Sequence, residues 1–150
     1  MKLKIAAIAS LVVSGPAFSE GVKVDPGKWE VTSTTTMKIY KDGQNQTMPP
    51  QSNTGATCIT KEDPYFSPKT FSHNQCELSE MINEPRKLYY KMVCQQASLE
   101  LAGGVSVDVA EDGKTAKGFM SYAAGERGGG STAATYVTSE MVFKHVGACE

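Results

Sequence analysis

A period of two runs through most of this 150-residue chain. Between residues 29 and 40, Trp29, Val31, Met37 and Ile39 share one parity and Glu30, Thr32, Thr34 and Lys38 the other, as a strand with one dry and one wet face requires. β-Branched and aromatic residues crowd the same run, which disfavours a helix. Pro26-Gly27 leads into it and Asp42-Gly43 turns the chain after it. Residues 132–146 predict a closing strand, with Val137, Met141 and Phe143 on one parity. From residue 47 to 73 the alternation fails. Pro49, Pro50, Pro64 and Pro68 interrupt any ladder there, so the pattern predicts mostly loop, with at most a short strand into Cys58-Ile59 and one helical turn after Thr60.

Two hairpins are readable in register. With Glu84-Pro85-Arg86 as the loop, Asn83 pairs with Lys87, Ile82 with Leu88, Glu80 with Tyr90, Leu78 with Met92 and Cys76 with Cys94. The two cysteines then face each other on the parity of Ile82, Leu88, Leu78 and Met92, pointing at the core, at a separation that a disulfide spans. In the second hairpin Asp112-Gly113 is a two-residue turn, the strongest short hairpin signal. Val109 faces Ala116, Val107 faces Gly118 and Val105 faces Met120 on the apolar side, while Asp108 faces Lys117 and Glu111 faces Lys114 on the other. Both faces agree on one register. The glycine-rich stretch 125–131 reads as a mobile loop. These runs predict an all-β fold, a single antiparallel sheet domain of about six to eight strands, whether curved sheet, barrel or sandwich.

The amino terminus has a different pattern. Lys2 and Lys4, the apolar run of residues 5–13 and the small residues Ala17 and Ser19 read as a signal peptide over residues 1–19, cleaved before Glu20. That run is far shorter than the roughly 20 apolar residues of a spanning helix, and no later segment is long and apolar enough to be one. Residues 20–150 are then one exported domain, periplasmic or secreted. Without Lys2 and Lys4 the balance is mildly acidic and scattered, which argues against nucleic acid and gives no pull toward anionic lipid.

All four cysteines lie after residue 19. An even number in an oxidising compartment reads as two disulfides, whereas zinc sites bring ligands in close pairs and a thioredoxin-like motif needs Cys-x-x-Cys. The register joins Cys76 to Cys94, which leaves Cys58 for Cys149.

The motifs Pro26-Gly27-Lys28-Trp29-Glu30-Val31, Met48-Pro49-Pro50, Cys58-Ile59-Thr60-Lys61-Glu62, the Cys76 and Cys94 pair and the ending Gly147-Ala148-Cys149 resemble, over nearly the whole exported part, the bacterial family catalogued as domain of unknown function 3617. The resemblance implies a bacterial, periplasmic protein with two disulfides and no assigned activity.

Candidate chemistry is sparse. The chain after residue 19 has no Gly-x-Ser-x-Gly elbow, no His-Glu-x-x-His and no Walker-type glycine loop. Glycines 128–130 precede a strand and not the helix that would face a phosphate. His73 and His145 are far apart and lack a paired nucleophile, and the acidic pairs Glu62-Asp63 and Glu111-Asp112 sit in turns. The methionines read as packing and not as a copper site. Trp29, Tyr89, Tyr90 and Tyr136 read as core or edge residues before cavity lining. The expectation is therefore a non-enzymatic, envelope-associated binding or structural module with no cofactor and no metal. A carrier of a small apolar ligand or lipid is the runner-up, with Trp29, Val105, Val107, Met120 and Phe143 as the candidate ligand face of a curved sheet. An enzyme of unrecognised kind is the third reading.

Overall fold

The computed structural model describes residues 21–71, 76–126 and 133–150. The expected signal, His73 and glycines 128–130 lie outside them. In chain order the elements are β1 (Val22–Lys23), β2 (Gly27–Lys41), β3 (Gln44–Thr47), β4 (Gln51–Ile59), β5 (Tyr65–Phe66), the helical turn α1 (Pro68–Phe71), β6 (Cys76–Glu84), β7 (Lys87–Gln96), β8 (Leu99–Val109), β9 (Thr115–Glu126) and β10 (Ala134–Gly147). Eight strands make one antiparallel sheet in the order β3-β2-β10-β9-β8-β7-β6, with β4 also on β2. β3 and β4 lie end to end along the same margin of β2, against Lys38–Lys41 and Gly27–Thr35. Among the described residues β6 pairs only with β7, so the sheet is open.

One parity of each central strand is free of Lys, Arg, Asp and Glu: odd positions 29–39 of β2, 99–109 of β8 and 135–145 of β10, even positions 88–94 of β7 and 116–124 of β9. Trp29, Leu88, Tyr90, Val105, Val107, Ala116 and Phe143 on this face are buried. What covers them is a small plug. β1 and β5 pair as Val22 with Phe66, and Val22, Val24 and Phe66 join the same core, with Phe71 packed against it. The Phe66 ring stands 4.9 Å from Trp29 and 5.1 Å from Phe143, and Phe71 is 5.7 Å from Phe143. Each fully buried ring of this kind contributes about 2 kcal/mol of transfer free energy, and each well-placed ring pair roughly 1 kcal/mol more. The Trp29 indole N–H donates to the Asp25 carbonyl at 2.9 Å, so its polar edge is satisfied.

Both covalent bonds follow the register reading. Cys76 and Cys94 are directly opposed and bonded, Cα to Cα 4.0 Å, and Cys58 bonds Cys149 across 91 residues. On the chain-entropy account the second, closing so long a loop, contributes about 4 kcal/mol.

Several expectations are corrected. Gly125 and Glu126, expected in the glycine-rich loop, close β9 opposite Glu100 and Leu99. Leu78, expected to point at the core, is exposed. β4 is a full nine-residue strand where loop was predicted, because it lies at the sheet margin with eight residues not buried and needs no apolar alternation. The helical turn lies at Pro68–Phe71 and not after Thr60, whose Oγ1 instead accepts from the Asp63 amide. In the β6–β7 hairpin the turn is Pro85-Arg86 alone: Glu84 pairs with Lys87, Asn83 with Leu88 and Ile82 with Tyr89. A bulge between Ser79 and Ile82 absorbs the extra residue and restores Leu78 with Met92. Ile82 is consequently 50% exposed, and Met81 packs against the core in its place. In the β8–β9 hairpin the turn is not the two residues Asp112-Gly113: the ladder stops at Val109 with Ala116, the Ala110 amide donates to the Thr115 carbonyl and the Gly113 amide to the Ala110 carbonyl, and Glu111 pairs with the Arg86 guanidinium at 3.3 Å and not with Lys114.

The Asp112-Gly113 turn is held by one carboxylate. Asp112 Oδ1 accepts from the amides of Lys114 at 2.8 Å and Thr115 at 3.2 Å and from the Thr115 hydroxyl, and Gly113 takes the left-handed φ of 67° that a side chain resists. These donors, the Lys114 amide first, lower the Asp112 pKa. A group with a depressed folded pKa stabilises the fold above its unfolded pKa and loses that contribution as pH falls through the folded one. Asp112→Ala should therefore lower the melting temperature at pH 7, and the gap to the parent should shrink as pH drops below the carboxylate range. A gap independent of pH would mean that the carboxylate charge does not hold the turn.

Gly118 faces Val107 and Met141 on the covered side. A Cβ there would lie 2.9 Å from Phe143 Cε2 and 3.0 Å from Met141 Cε. Gly118→Val should overpack this contact and cost roughly 1 to 3 kcal/mol in a urea melt. A variant as stable as the parent would show that the two side chains have room to give.

Candidate functional site

The outer face of β7, β8 and β9 carries a groove of about 510 Å³. Its floor is made by what is missing from β8. Gly104 and the small residues Ala102 and Ser106 leave the centre of the sheet bare, and Ser121 continues the floor on β9. Gly103 is required for a separate reason: a Cβ there would collide with the Ser121 carbonyl and lie 2.6 Å from Tyr122 Cα, so β8 and β9 approach closely only with glycine. The walls are aromatic. The Tyr89 ring lies over Gly104, its Cε2 and hydroxyl 3.5 Å from where a Cβ would stand, and Phe119 rises from the next strand but one, 45% exposed. Ser106 sits between them, paired with Tyr89 on one side and Phe119 on the other.

The β6 bulge supplies the charged rim. Glu80 takes a positive φ of 50° there and ion-pairs with Lys91 Nζ at 2.6 Å. This hydrogen bond to Glu80 raises the Lys91 pKa. The pair neutralises itself, so the groove offers ring faces, hydroxyls and backbone with no unpaired charge from Lys91. Such a surface favours uncharged molecules with one apolar face and polar edges.

Of the apolar residues singled out from the sequence, Val105 adjoins the groove and Trp29, Val107, Met120 and Phe143 do not. Trp29, Val105, Val107 and Phe143 are buried on the covered face, and Met120 is half-buried against them. The plug brings Trp29 and Phe143 together through Phe66, while Val105 faces Met120 across β8 and β9. All four cysteines are in disulfides. His145 stacks edge-on with Trp29 at 5.5 Å, and its Nε2 meets the Pro26 carbonyl at 3.1 Å, a packing role. Among the described residues no group of three or more His, Cys, Asp or Glu is placed to hold a metal. Of the tyrosines weighed, Tyr89 lines the groove and Tyr90 is core. The groove itself was not foreseen. Its signals were present: two glycines inside a strand pattern and Phe119 on the wet parity.

The family model described as "Protein of unknown function (DUF3617)" matches residues 24–149. The chain belongs to the DUF3617 family. That match spans every strand of the main sheet, both disulfides and the groove. No curated protein matches the chain. Among solved structures it is similar to Ail, the attachment invasion locus protein of Yersinia pestis, at 10% identity over 80% of this chain and 99% of that one, with a TM-score of 0.27.

One buried polar group of this DUF3617 member has no partner among the described residues. Tyr90 is 0% exposed and its hydroxyl makes no hydrogen bond, and burial pushes its pKa above the ordinary phenol range. An unsatisfied buried hydroxyl costs about 1 to 3 kcal/mol. Tyr90→Phe should therefore leave stability unchanged or raise it by about 1 kcal/mol in chemical denaturation. A clear loss of stability would mean that the hydroxyl is satisfied in solution.

Proposed function

We propose that this protein is an exported, non-enzymatic binding module of the bacterial envelope, periplasmic or secreted, and that its ligand seat is the outer-face groove. The observation that carries the reading is the floor of small residues Ala102, Gly104, Ser106 and Ser121, with the Tyr89 ring against Gly104 and Phe119 on the far wall, on a face where a sheet of this kind ordinarily carries long polar side chains. Its lining suits a small neutral molecule with an apolar face and hydrogen-bonding edges, as a sugar ring has. Stacking on Tyr89 and Phe119 would provide affinity, and Ser79, Ser106 and Ser121 would orient the polar edges.

The carrier reading places an apolar ligand at Trp29, Val105, Val107, Met120 and Phe143. It requires the plug of Phe66 and Phe71 to leave the face it now covers. The groove needs no such movement.

Native mass spectrometry of the protein purified from its own envelope tests the proposal. A small neutral adduct is expected that Phe119→Ala loses, with an unchanged melting curve because that side chain is exposed. No adduct at all would count against the groove as a ligand seat. A lipid adduct indifferent to Phe119 would favour the carrier, and turnover abolished by substituting a single polar residue would overturn the non-enzymatic claim.

A further inference from the structure

The two margins of the sheet are built differently. At one margin β6 carries Glu77, Glu80 and Glu84 and a bulge between Ser79 and Ile82. Charges and bulges of this kind keep an edge strand from pairing with another chain. The opposite margin has neither. Residues 44–59, which hold β3 and β4, contain no Lys, Arg, Asp, Glu or His, although such residues are common in the rest of the chain. β4 is nine residues long and pairs with β2 without any register shift from Gly27 with Ile59 to Thr35 with Gln51. Its two neighbouring prolines, Pro49 and Pro50, precede it and do not interrupt it. Every second residue of such a strand turns its N–H and C=O away from β2, and no described residue pairs with them.

We propose that β4 is an assembly edge, and that its occupant is β4 of a second copy of this chain, paired antiparallel about a two-fold axis to join two sheets into one. Charge is the first argument for that occupant. A neutral strand meets its own copy without like-charge repulsion, which the three glutamates of β6 would impose on a copy of β6. Size is the second. Gly55 is the centre of β4, nothing lies within 4 Å of a Cβ built on it, and its neighbours Thr54 and Ala56 are small. A register centred on Gly55 sets Thr54 opposite Ala56 of the partner subunit, with no bulky side chain to clash. Both are exposed and lie on the wet face, where Thr54 faces Thr32 and Ala56 faces Glu30. β4 is separated from the groove strands by β2 and β10, so such pairing leaves the groove open.

Sedimentation of the disulfide-intact protein from about 1 to 500 µM, the range of weak interfaces, tests this. The parent should shift from monomer to dimer with concentration. The double variant Thr54→Lys, Ala56→Lys sets lysines opposite each other across the pair, while Glu30 beside position 56 accommodates the new charge in the single subunit. It should raise the dimer dissociation constant at least tenfold with an unchanged melting curve. Ile82→Lys, at the other margin, should leave dimerisation as it is. Hydrogen exchange on the parent gives a reading that needs no variant: alternate amides of β4 should slow as concentration rises, and those of β6 should not. A parent monomeric throughout, a dimer that survives the double lysine variant, or a dimer lost in Ile82→Lys would each overturn the proposal. The groove reading is untouched by any of these results, because its own test is the adduct lost with Phe119.

Discussion

An open sheet leaves its dry face bare, and in this molecule the packing of Phe66 between Trp29 and Phe143 is what closes it. The ring comes from a segment of the chain whose prolines forbid a long strand, so it is held by other means. β5 pairs with β1, the Val24 amide donates to the Pro64 carbonyl at 2.9 Å, and α1 sets Phe71 beside the same rings. Cys58 and Cys149 tie the strand that leads into this segment to the chain end. The proline-rich stretch is thus the cover of the core, and the long strands β2 and β10 have a dry face only because it is there. Without it Trp29, Val107 and Phe143 would face water, at a cost of several kcal/mol by the usual area argument.

The parts of this fold that could be read in advance are those whose signals are local. Asp112-Gly113 marks the place of the hairpin turn, and the alternation of Val105, Val107 and Val109 against Met120, Gly118 and Ala116 then leaves one register. The pairing of Cys76 with Cys94 was reachable for the same reason, though the count toward the turn was wrong by one. A three-residue loop without a bulge and a two-residue loop with one meet the cysteines at the same place, so the cysteines cannot tell them apart, and Ile82 was misassigned to the core. β4 escaped notice because apolar alternation reports burial and not hydrogen bonding. A margin strand of Gln, Ser, Asn and Thr has the second without the first. The plug and the groove depend on residues distant in sequence. Phe66 meets Phe143 and Tyr89 covers Gly104 only once the strands are assembled, although Gly103-Gly104 and the wet-parity Phe119 hinted at the groove.

The sheet also divides its stability unevenly along the strands. The fully buried residues Trp29, Leu88, Val107 and Phe143 gather at the plug end, whereas Met37, Leu101 and Tyr122, farther along the same face, stay partly exposed. The outer face follows suit. Behind the plug it carries the charged row of Lys87, Asp108 and Lys117, with Lys87 and Asp108 3.8 Å apart, while the groove is backed by the buried Tyr90, Val105 and Met92 in the middle of the sheet. The covered face thins only beyond them, toward Leu101 and Tyr122. Cys94, itself buried, faces Leu101 on one side and is bonded to Cys76 on the other, so this disulfide lies toward the end where Leu101 and Tyr122 are only partly buried. Cys58 with Cys149 lies at the opposite, plug end of the sheet, where Cys58 faces Lys28 next to the buried Trp29. In a domain this small, with one core and a cover of a few side chains, disulfides at both ends let the groove strands give up side-chain volume without giving up register.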